Sequence, residues 1–164
     1  MQIFRIVGEI CDSTVDDFYK FISGLKDDTA YMFIHTTGGD IDATYALQSI
    51  MEHGNIKWVT YCGSIAYSAG LHLVAHGDIR WGSRRSNYMY HDRLQSFEGN
   101  PNSIVDELNQ TKKWLDGLDK DFAKKTKKEL TWWKGQLSRA SGEYYFGVRK
   151  AKQLGVIDHI GCPL

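Results

Sequence analysis

Proline and cysteine are scarce in this sequence, and long apolar runs are missing. There are 2 prolines and 3 cysteines among 164 residues. Cys11, Cys62 and Cys162 are odd in number and widely spaced, which argues against a disulfide framework and against a CxxC metal or redox pair. No window approaches the roughly 18 apolar residues of a membrane span, and the N-terminus has no secretion signal. These absences predict a cytoplasmic protein.

Net charge is also missing. Twenty basic residues balance twenty acidic ones, so no overall field recruits nucleic acid or a membrane surface. The lysines between residues 124 and 128 are flanked by acids and are typical of a solvated helix face. Neither GxxxxGK[ST] nor GxGxxG occurs, so nucleotide binding is not predicted. We expect no cofactor, and function must come from a local site.

Strands and helices alternate along the chain, and the length suits one domain covering residues 1–164. Short connections between alternating elements indicate a mostly parallel sheet covered by helices, an α/β fold. The predicted strands are Ile3–Val7, Tyr31–His35, Lys57–Cys62, Ile79–Trp81, Tyr88–Tyr90 and Val156–Ile160. Helices are predicted after Asp12, from Asp40 to about His53, over Ser68–His76, from Pro101 to about Lys128, over Glu129–Ser138 and over Val148–Leu154.

The segment from Pro101 to about Lys128 differs from the other predicted helices in its length and polarity. A sparse apolar stripe runs through many charges, which predicts a helix that projects from the domain. The stripe consists of Ile104, Val105, Leu108, Leu115, Leu118 and Phe122. Trp132 and Trp133 follow it, and we expect one of these rings to pack against a partner or the domain head.

Two glycine-bearing turns follow predicted strands and precede predicted helices. Unpaired amides at such turns point toward a developing negative charge, and glycine lets a substrate backbone approach closely. The first turn ends in Gly38 and Gly39, and the second runs from Gly63 to Gly70. Ser68, at the head of its helix, would attack a carbonyl while the amides of Gly39 and Ala69 hold the oxyanion. An N-cap role for Ser68 is the competing interpretation.

A serine hydroxyl needs a general base. His91 ends a predicted buried strand and is the preferred candidate. His72 lies four residues after Ser68 on the same helical face, but side chains of one helix point in parallel rather than toward each other. His72 and His76 share an i, i+4 spacing, yet no glutamate lies between them as in a zinc-peptidase motif, so no metal site is predicted.

Three separated motifs resemble the ClpP-type serine peptidases of the ClpP/crotonase superfamily. That family has a Pro-Gly-Gly turn, and here Ile34–Leu47 reads IHTTGGDIDATYAL, with Thr37 where proline is usual. The family's nucleophile segment corresponds to Gly63–Gly77, GSIAYSAGLHLVAHG, in which Ser68 takes the serine position. The family's Ser-x-x-Met-x-His pattern is reproduced by Ser86–His91. The resemblance covers nearly the whole chain and implies a ClpP/crotonase-like fold of repeated βαβ units.

The C-terminal tail carries a fourth motif. Ala151–Asp158 matches the family's Glu-Ala-x-x-Gly-Leu-Val-Asp segment, and about a dozen residues before its glycine the family has the aspartate of its catalytic triad. Glu143 stands at that position. A glutamate accepts the Nδ1–H bond of a histidine as an aspartate does, although its extra methylene requires a slightly retracted backbone. The resemblance therefore implies a triad of Ser68, His91 and Glu143.

The resemblance also implies an assembly and a substrate. It implies unfolded polypeptide or peptide substrates and a homo-oligomeric ring, a heptamer or a tetradecamer, that encloses the sites. Phe97–Asn100 stands at the family's substrate-binding strand, and Pro101–Lys128 at its projecting handle helix. The chain begins close to the first strand, so we do not assume an ATP-dependent unfoldase partner. The small size is similar to phage-type or accessory ClpP-like subunits.

Two other functions remain open. A crotonase-type acyl-thioester enzyme would use a paired-amide oxyanion hole on a related fold without needing Ser68 and His91 together. A catalytically inactive ring subunit would retain the fold without the reaction.

Overall fold

The computed structural model describes residues 1–53, 55–91 and 100–164. Its strands are β1 (Gln2–Ile10), β2 (Thr29–Gly39), β3 (Lys57–Tyr67), β4 (Ile79–Gly82), β5 (Asn87–His91), β6 (Glu143–Gly147) and β7 (His159–Ile160). Its helices are α1 (Asp12–Ser23), α2 (Ile41–His53), α3 (Ala69–His76), α4 (Pro101–Lys125), α5 (Leu130–Arg139) and α6 (Val148–Leu154). This architecture confirms the predicted α/β class.

The sheet is parallel except at one pair. Its main path runs β1-β2-β3-β4-β7, and every pair on that path is parallel. β3 pairs with β4 along its first half and with β5 along its second half. β6 then lies antiparallel to β5. The end of β3 is therefore flanked by β2 on one side and by the β5–β6 pair on the other.

Two predicted turns belong to strands instead. β2 continues through Thr36–Gly39 and β3 continues through Gly63–Tyr67, so the turns predicted at Thr37–Gly39 and over Gly63–Tyr67 are both wrong. Both extensions coincide with irregular register, between Val7 and Glu9 and between Ile34 and Thr36. Such irregularities bend the strands where they approach the site. β7 is shorter than the predicted Val156–Ile160 strand, and β6 was not predicted.

Helix α3 is buried along its whole length. Glycine at its second position permits close packing on the sheet, because a Cβ at Gly70 would lie 2.3 Å from Thr36 Cγ2. Leu71, Leu73 and Val74 add to one apolar core that includes Ile34 and Trp58. The helix that follows Ser68 is therefore fixed by packing on all sides.

Helix α4 has an exposed first half and a docked second half. Asn100 caps it by accepting hydrogen bonds from the backbone amides of Asn102 and Ser103, at 3.1 and 3.0 Å. Val105 is 54% exposed and Leu108 is 37% exposed, whereas Trp114 packs edge-on against Tyr45 of α2. Leu118 and Phe122 are buried. The helix ends at Lys125, three residues before the expected Lys128.

The docked half of α4 meets an aromatic cluster. Phe122 stacks on Tyr90 at 5.7 Å between ring centroids, and Trp133 of α5 packs on both rings. Trp133 is fully buried, so one of the two adjacent tryptophans packs against the domain head as expected. Within the residues that the structure describes, no helix is long and apolar enough to cross a membrane.

Candidate active site

Ser68 lies at the junction between β3 and α3 in an unusual backbone conformation. Its φ is 53° and its ψ is −121°, outside the regions that a residue with a Cβ normally adopts. Its amide donates to the carbonyl of Met89 on β5, at 2.9 Å. Such strain persists only where the surroundings enforce it, and it is typical of functional positions. This junction presents the hydroxyl beside the first turn of α3.

His91 reaches Ser68 because of strand pairing. β5 runs parallel to the end of β3, with Tyr67 beside Met89, and His91 is the last residue of β5. The distance from His91 Nε2 to Ser68 Oγ is 2.7 Å, a short hydrogen bond for this pair of atoms. The structure thus brings together the two residues that the sequence proposed as nucleophile and base.

Glu143 lies directly opposite His91 in the antiparallel β5–β6 pair. Directly opposed residues point to the same face, with Cβ atoms about 4.5–5.5 Å apart, which places this carboxylate on the histidine's side of the sheet. Its Oε2 accepts a hydrogen bond from Tyr145 Oη at 3.1 Å. That bond raises the pKa of Tyr145, since a phenol that donates to a carboxylate resists ionisation.

Tyr145 also connects Glu143 to the nucleophile segment. Its ring meets Tyr67 edge-on, with centroids 5.5 Å apart, and Tyr67 immediately precedes Ser68. The acid candidate, its tyrosine and the nucleophile segment therefore form one contiguous group of side chains.

The glycine pair of β2, Gly38 and Gly39, lies close to Ser68. A Cβ at Gly38 would lie 2.8 Å from Ser68 Cβ and 3.3 Å from the Ala69 nitrogen. The φ of Gly38 is +112°, which favours glycine. A Cβ at Gly39 would lie 2.0 Å from the carbonyl oxygen of Ile10. Close approach, together with backbone conformation, explains why glycine occupies both positions.

Gly39 and Ala69 line the same small cavity, of about 120 Å³. Ser68 and His91 line it as well, so the two oxyanion candidates and the candidates for nucleophile and base face one space. The remaining lining residues are Ile41, Thr44 and Leu118. An acyl group bound here would have its carbonyl within reach of the serine and of two backbone segments. This arrangement suits acyl transfer.

Sequence reasoning did not find Ile41, Thr44 and Leu118. Ile41 and Thr44 are three residues apart at the start of α2, so they share a helix face directly after the glycine pair. This spacing could have indicated that both side chains line the site. Leu118 comes from α4, and nothing local in the sequence shows that this turn of the helix meets the site.

The other histidines of α3 face different partners. His72 Nε2 lies 4.0 Å from Asp119 Oδ1, and its ring packs on Phe122 at 4.9 Å. His76 Nε2 lies 3.2 Å from Glu52 Oε1, and burial lowers the pKa of His76. In the described part of the chain, no three His, Cys, Asp or Glu side chains are grouped to hold a metal ion. His72 is directed toward α4, whereas Ser68 bonds to His91.

The proposed substrate-binding strand lies mostly outside the described residues. Phe97, Glu98 and Gly99 fall in the gap between residues 91 and 100. Asn100 is the N-cap of α4.

Comparison with known proteins gives a consistent result over the whole chain. A family model described as Clp protease matches residues 2–163. ATP-dependent Clp protease proteolytic subunit 1 of Prochlorococcus marinus subsp. pastoris is 28% identical over 156 residues, covering 94% of this chain and 74% of that protein. The ATP-dependent Clp protease proteolytic subunit of Cyanophora paradoxa is 25% identical, covering 93% and 78%. Proteolytic subunit 2 of Bacillus licheniformis is 24% identical, covering 95% and 77%.

Proposed function

Since the chain belongs to the Clp protease family, we propose that it is a serine endopeptidase in which Ser68 attacks the peptide carbonyl. The single observation that carries this proposal is the 2.7 Å contact between Ser68 Oγ and His91 Nε2. Its context strengthens the proposal, because the serine has a strained backbone and opens into a cavity lined by two oxyanion candidates.

The reaction proceeds in two acyl-transfer steps. Ser68 Oγ bonds to the peptide carbonyl carbon while His91 Nε2 takes the hydroxyl proton and then gives it to the leaving amine. Water then attacks the acyl-enzyme with His91 as base, which releases the acid and restores the serine. The amides of Gly39 and Ala69 stabilise the oxyanion in both steps, and Glu143 orients His91 and stabilises its imidazolium form.

The reaction needs no metal or cofactor in this proposal. We further propose that residues 1–164 form one peptidase domain that assembles into a homo-oligomeric ring, a heptamer or a tetradecamer, in the cytoplasm. The ring would enclose the sites and admit unfolded polypeptides or peptides.

A fluorophosphonate probe tests the nucleophile directly. We expect stoichiometric labelling of the native protein at Ser68, abolished in Ser68→Ala and in His91→Ala. His72→Gln is the matched control, since His72 is also a buried histidine near Ser68, and it should retain labelling. Peptide hydrolysis should disappear in the same two variants, measured by cleavage of an unstructured fluorogenic peptide. An assembled wild-type protein that takes no label and cleaves no peptide would refute the peptidase and favour an inactive ring subunit.

A further inference from the structure

One edge of the sheet carries an exposed strand beside an acidic segment. β1 has nine residues, and within the described residues it pairs only with β2. Val7 on this strand is 58% exposed, and Tyr19 on α1 is 67% exposed. Long, exposed edge strands are normally covered or blunted, because their free backbone groups and apolar side chains favour association. This edge has the character of a contact surface.

The charge of that edge is negative. Residues 9–17 contain four carboxylates, Glu9, Asp12, Asp16 and Asp17, and no basic residue. Glu9 and Asp17 line a groove between β1 and α1 that also contains Arg5. Asp17 pairs with Lys20 at 3.1 Å, and Arg5 extends over the ring of Phe33. Glu9, Asp12 and Asp16 are exposed. We call residues 9–17 the acidic edge.

The edge of the sheet at β6, opposite to β1, carries a basic cleft. It is lined by the loop before β5 and by the junction of β6 and α6, and its four charged residues are Arg84, Arg85, Arg149 and Lys150. All four are cationic. Within the described residues, none of these cations forms an ion pair with a carboxylate. In a chain of zero net charge, this cleft concentrates positive charge where an anionic surface would neutralise it.

The acidic edge and the basic cleft lie at the same level along the strands. Glu9 pairs with Gly38 of β2, two residues beyond Thr36, and Thr36 pairs with Ala66 of β3. Ala66 in turn lies beside Tyr88 of β5, and Tyr88 beside Phe146 of β6. The next register positions, Asn87 and Gly147, both line the basic cleft. One row across the sheet therefore begins near the acidic edge and ends at the basic cleft.

We propose that the acidic edge of one copy docks into the basic cleft of the next copy, in a head-to-tail contact. The row across the sheet has negative charge at its β1 end and positive charge at its β6 end. When a second copy lies beside the first at the same level, the acidic edge of one copy therefore faces the basic cleft of the other. A contact between two different surfaces is heterologous, so it generates a ring where the rotation closes. The inference rests on the proposed ring assembly and supplies its interface. It also covers β1.

Paired charge reversals test this contact on the full chain. Variant A replaces three of the four cleft cations with glutamate, so both of its surfaces are acidic, and variant B replaces three of the four edge carboxylates with lysine, so both are basic. The substitutions are R84E, R85E and R149E in variant A, and E9K, D12K and D16K in variant B. We expect each variant alone to lose assembly by at least about tenfold in sedimentation velocity, because like charges then face each other. An equimolar mixture should assemble again, since both kinds of contact in it are complementary. The control Lys57→Glu with Lys120→Glu should assemble as wild type.

Each outcome decides the proposal. Assembly of A or B alone at wild-type levels, or failure of the mixture to assemble while circular dichroism shows both variants folded, overturns the contact. Binding of a poly-glutamate peptide to a wild-type protein that stays monomeric would overturn it in favour of another acidic partner. Fluorophosphonate labelling of Ser68 is measured in parallel. Labelling without assembly therefore rejects the contact alone, and assembly without labelling rejects the peptidase alone.

Discussion

Gly38 brings the end of β2 into close contact with Ser68. Its missing Cβ leaves room for Ser68 Cβ, and its φ of +112° suits no other residue well. Thr36 Oγ1 accepts a hydrogen bond from the Gly38 amide at 2.9 Å, which fixes the end of β2. A side chain at this position would therefore push on the serine and strain the backbone at once.

We expect Gly38→Ala to destabilise the protein by about 1–3 kcal/mol and to reduce fluorophosphonate labelling strongly. Urea unfolding and the labelling rate measure the two effects. Gly135→Ala is the matched control, because nothing lies within 4 Å of a Cβ at this helical position. It should stabilise the protein by about 0.4–1 kcal/mol and leave labelling unchanged. Normal labelling in Gly38→Ala would contradict the role assigned to this close approach.

The proposed role of Glu143 as the acid of the triad depends on one strand pair. It faces His91 across β5 and β6 and is exposed, so its carboxylate is partly screened by water. We expect Glu143→Gln to lower kcat/KM for a peptide by about 10²–10⁴-fold, because changing the acid of a triad to an amide costs as much as about 10⁴ in kcat and water screening weakens the effect of an exposed carboxylate. Glu107→Gln, at an exposed position on α4, is the control. Unchanged kinetics in Glu143→Gln would remove Glu143 from the triad while leaving Ser68 and His91 in place.

Among the helices and strands, Arg80 connects four segments through hydrogen bonds. From β4 it forms hydrogen bonds of 3.0 and 2.7 Å to the two carboxylate oxygens of Asp158, just before β7. Its Nη1 donates to the carbonyls of Lys125 and Gly155, at 2.6 and 2.8 Å, where α4 and α6 end. The end of α4 is thereby fixed to the sheet.

The ion pair between Arg80 and Asp158 should make the stability of the fold decrease in acid. Burial alone would raise the pKa of Asp158, but its bonds with Arg80 lower it below the ordinary 3.8. The unfolded chain then binds the proton first, so the pair stabilises the fold above about pH 4 and loses its effect as pH falls through the folded pKa. We expect Asp158→Asn to cost about 1–2 kcal/mol at pH 7 and clearly less at pH 3, by urea unfolding.

The control for this prediction is Asp121→Asn. Asp121 forms a solvent-accessible pair with Lys124, which contributes little, so the variant should match wild type at both pH values. A cost of Asp158→Asn that is the same at pH 7 and pH 3 would contradict the assignment.

Most elements were predictable from local pattern, whereas their ends and one strand were not. Val148–Leu154 matches the predicted helix at both ends, because Gly155 stops it in a left-handed conformation. β6 was missed, since five residues with alternating exposure carry a weak signal. Its position depends on β5, a partner more than fifty residues earlier. The sequence motifs proposed Ser68, His91 and Glu143 as a triad, but only this strand pairing shows that Glu143 lies opposite His91.

The charge distribution and the apolar core of the entire fold constrain assembly and folding. The charges sum to zero but separate into the acidic edge and the basic cleft on opposite sides of the sheet. Overall neutrality removes long-range repulsion between copies, and the local separation gives any contact a direction. The apolar core extends through the fold, because apolar residues of the sheet and of the helices form one cluster. Cys62 lies at its centre, on the strand that leads to Ser68.

Cys62 therefore reports global unfolding. It is fully buried, and burial raises its thiol pKa to about 12. Cys162 is exposed, and Cys11 is half-buried, with a thiol pKa lowered by hydrogen bonds from Ser13 and Thr14. Because thiolates react, we expect a disulfide reagent at pH 7 to modify Cys11 and Cys162 in the native protein, Cys11 faster. Cys62 should react only at the rate of global unfolding, so urea raises the titre from two thiols to three. Cys62→Ala should stay at two in urea, and a native titre of three would show that the core around β3 opens locally.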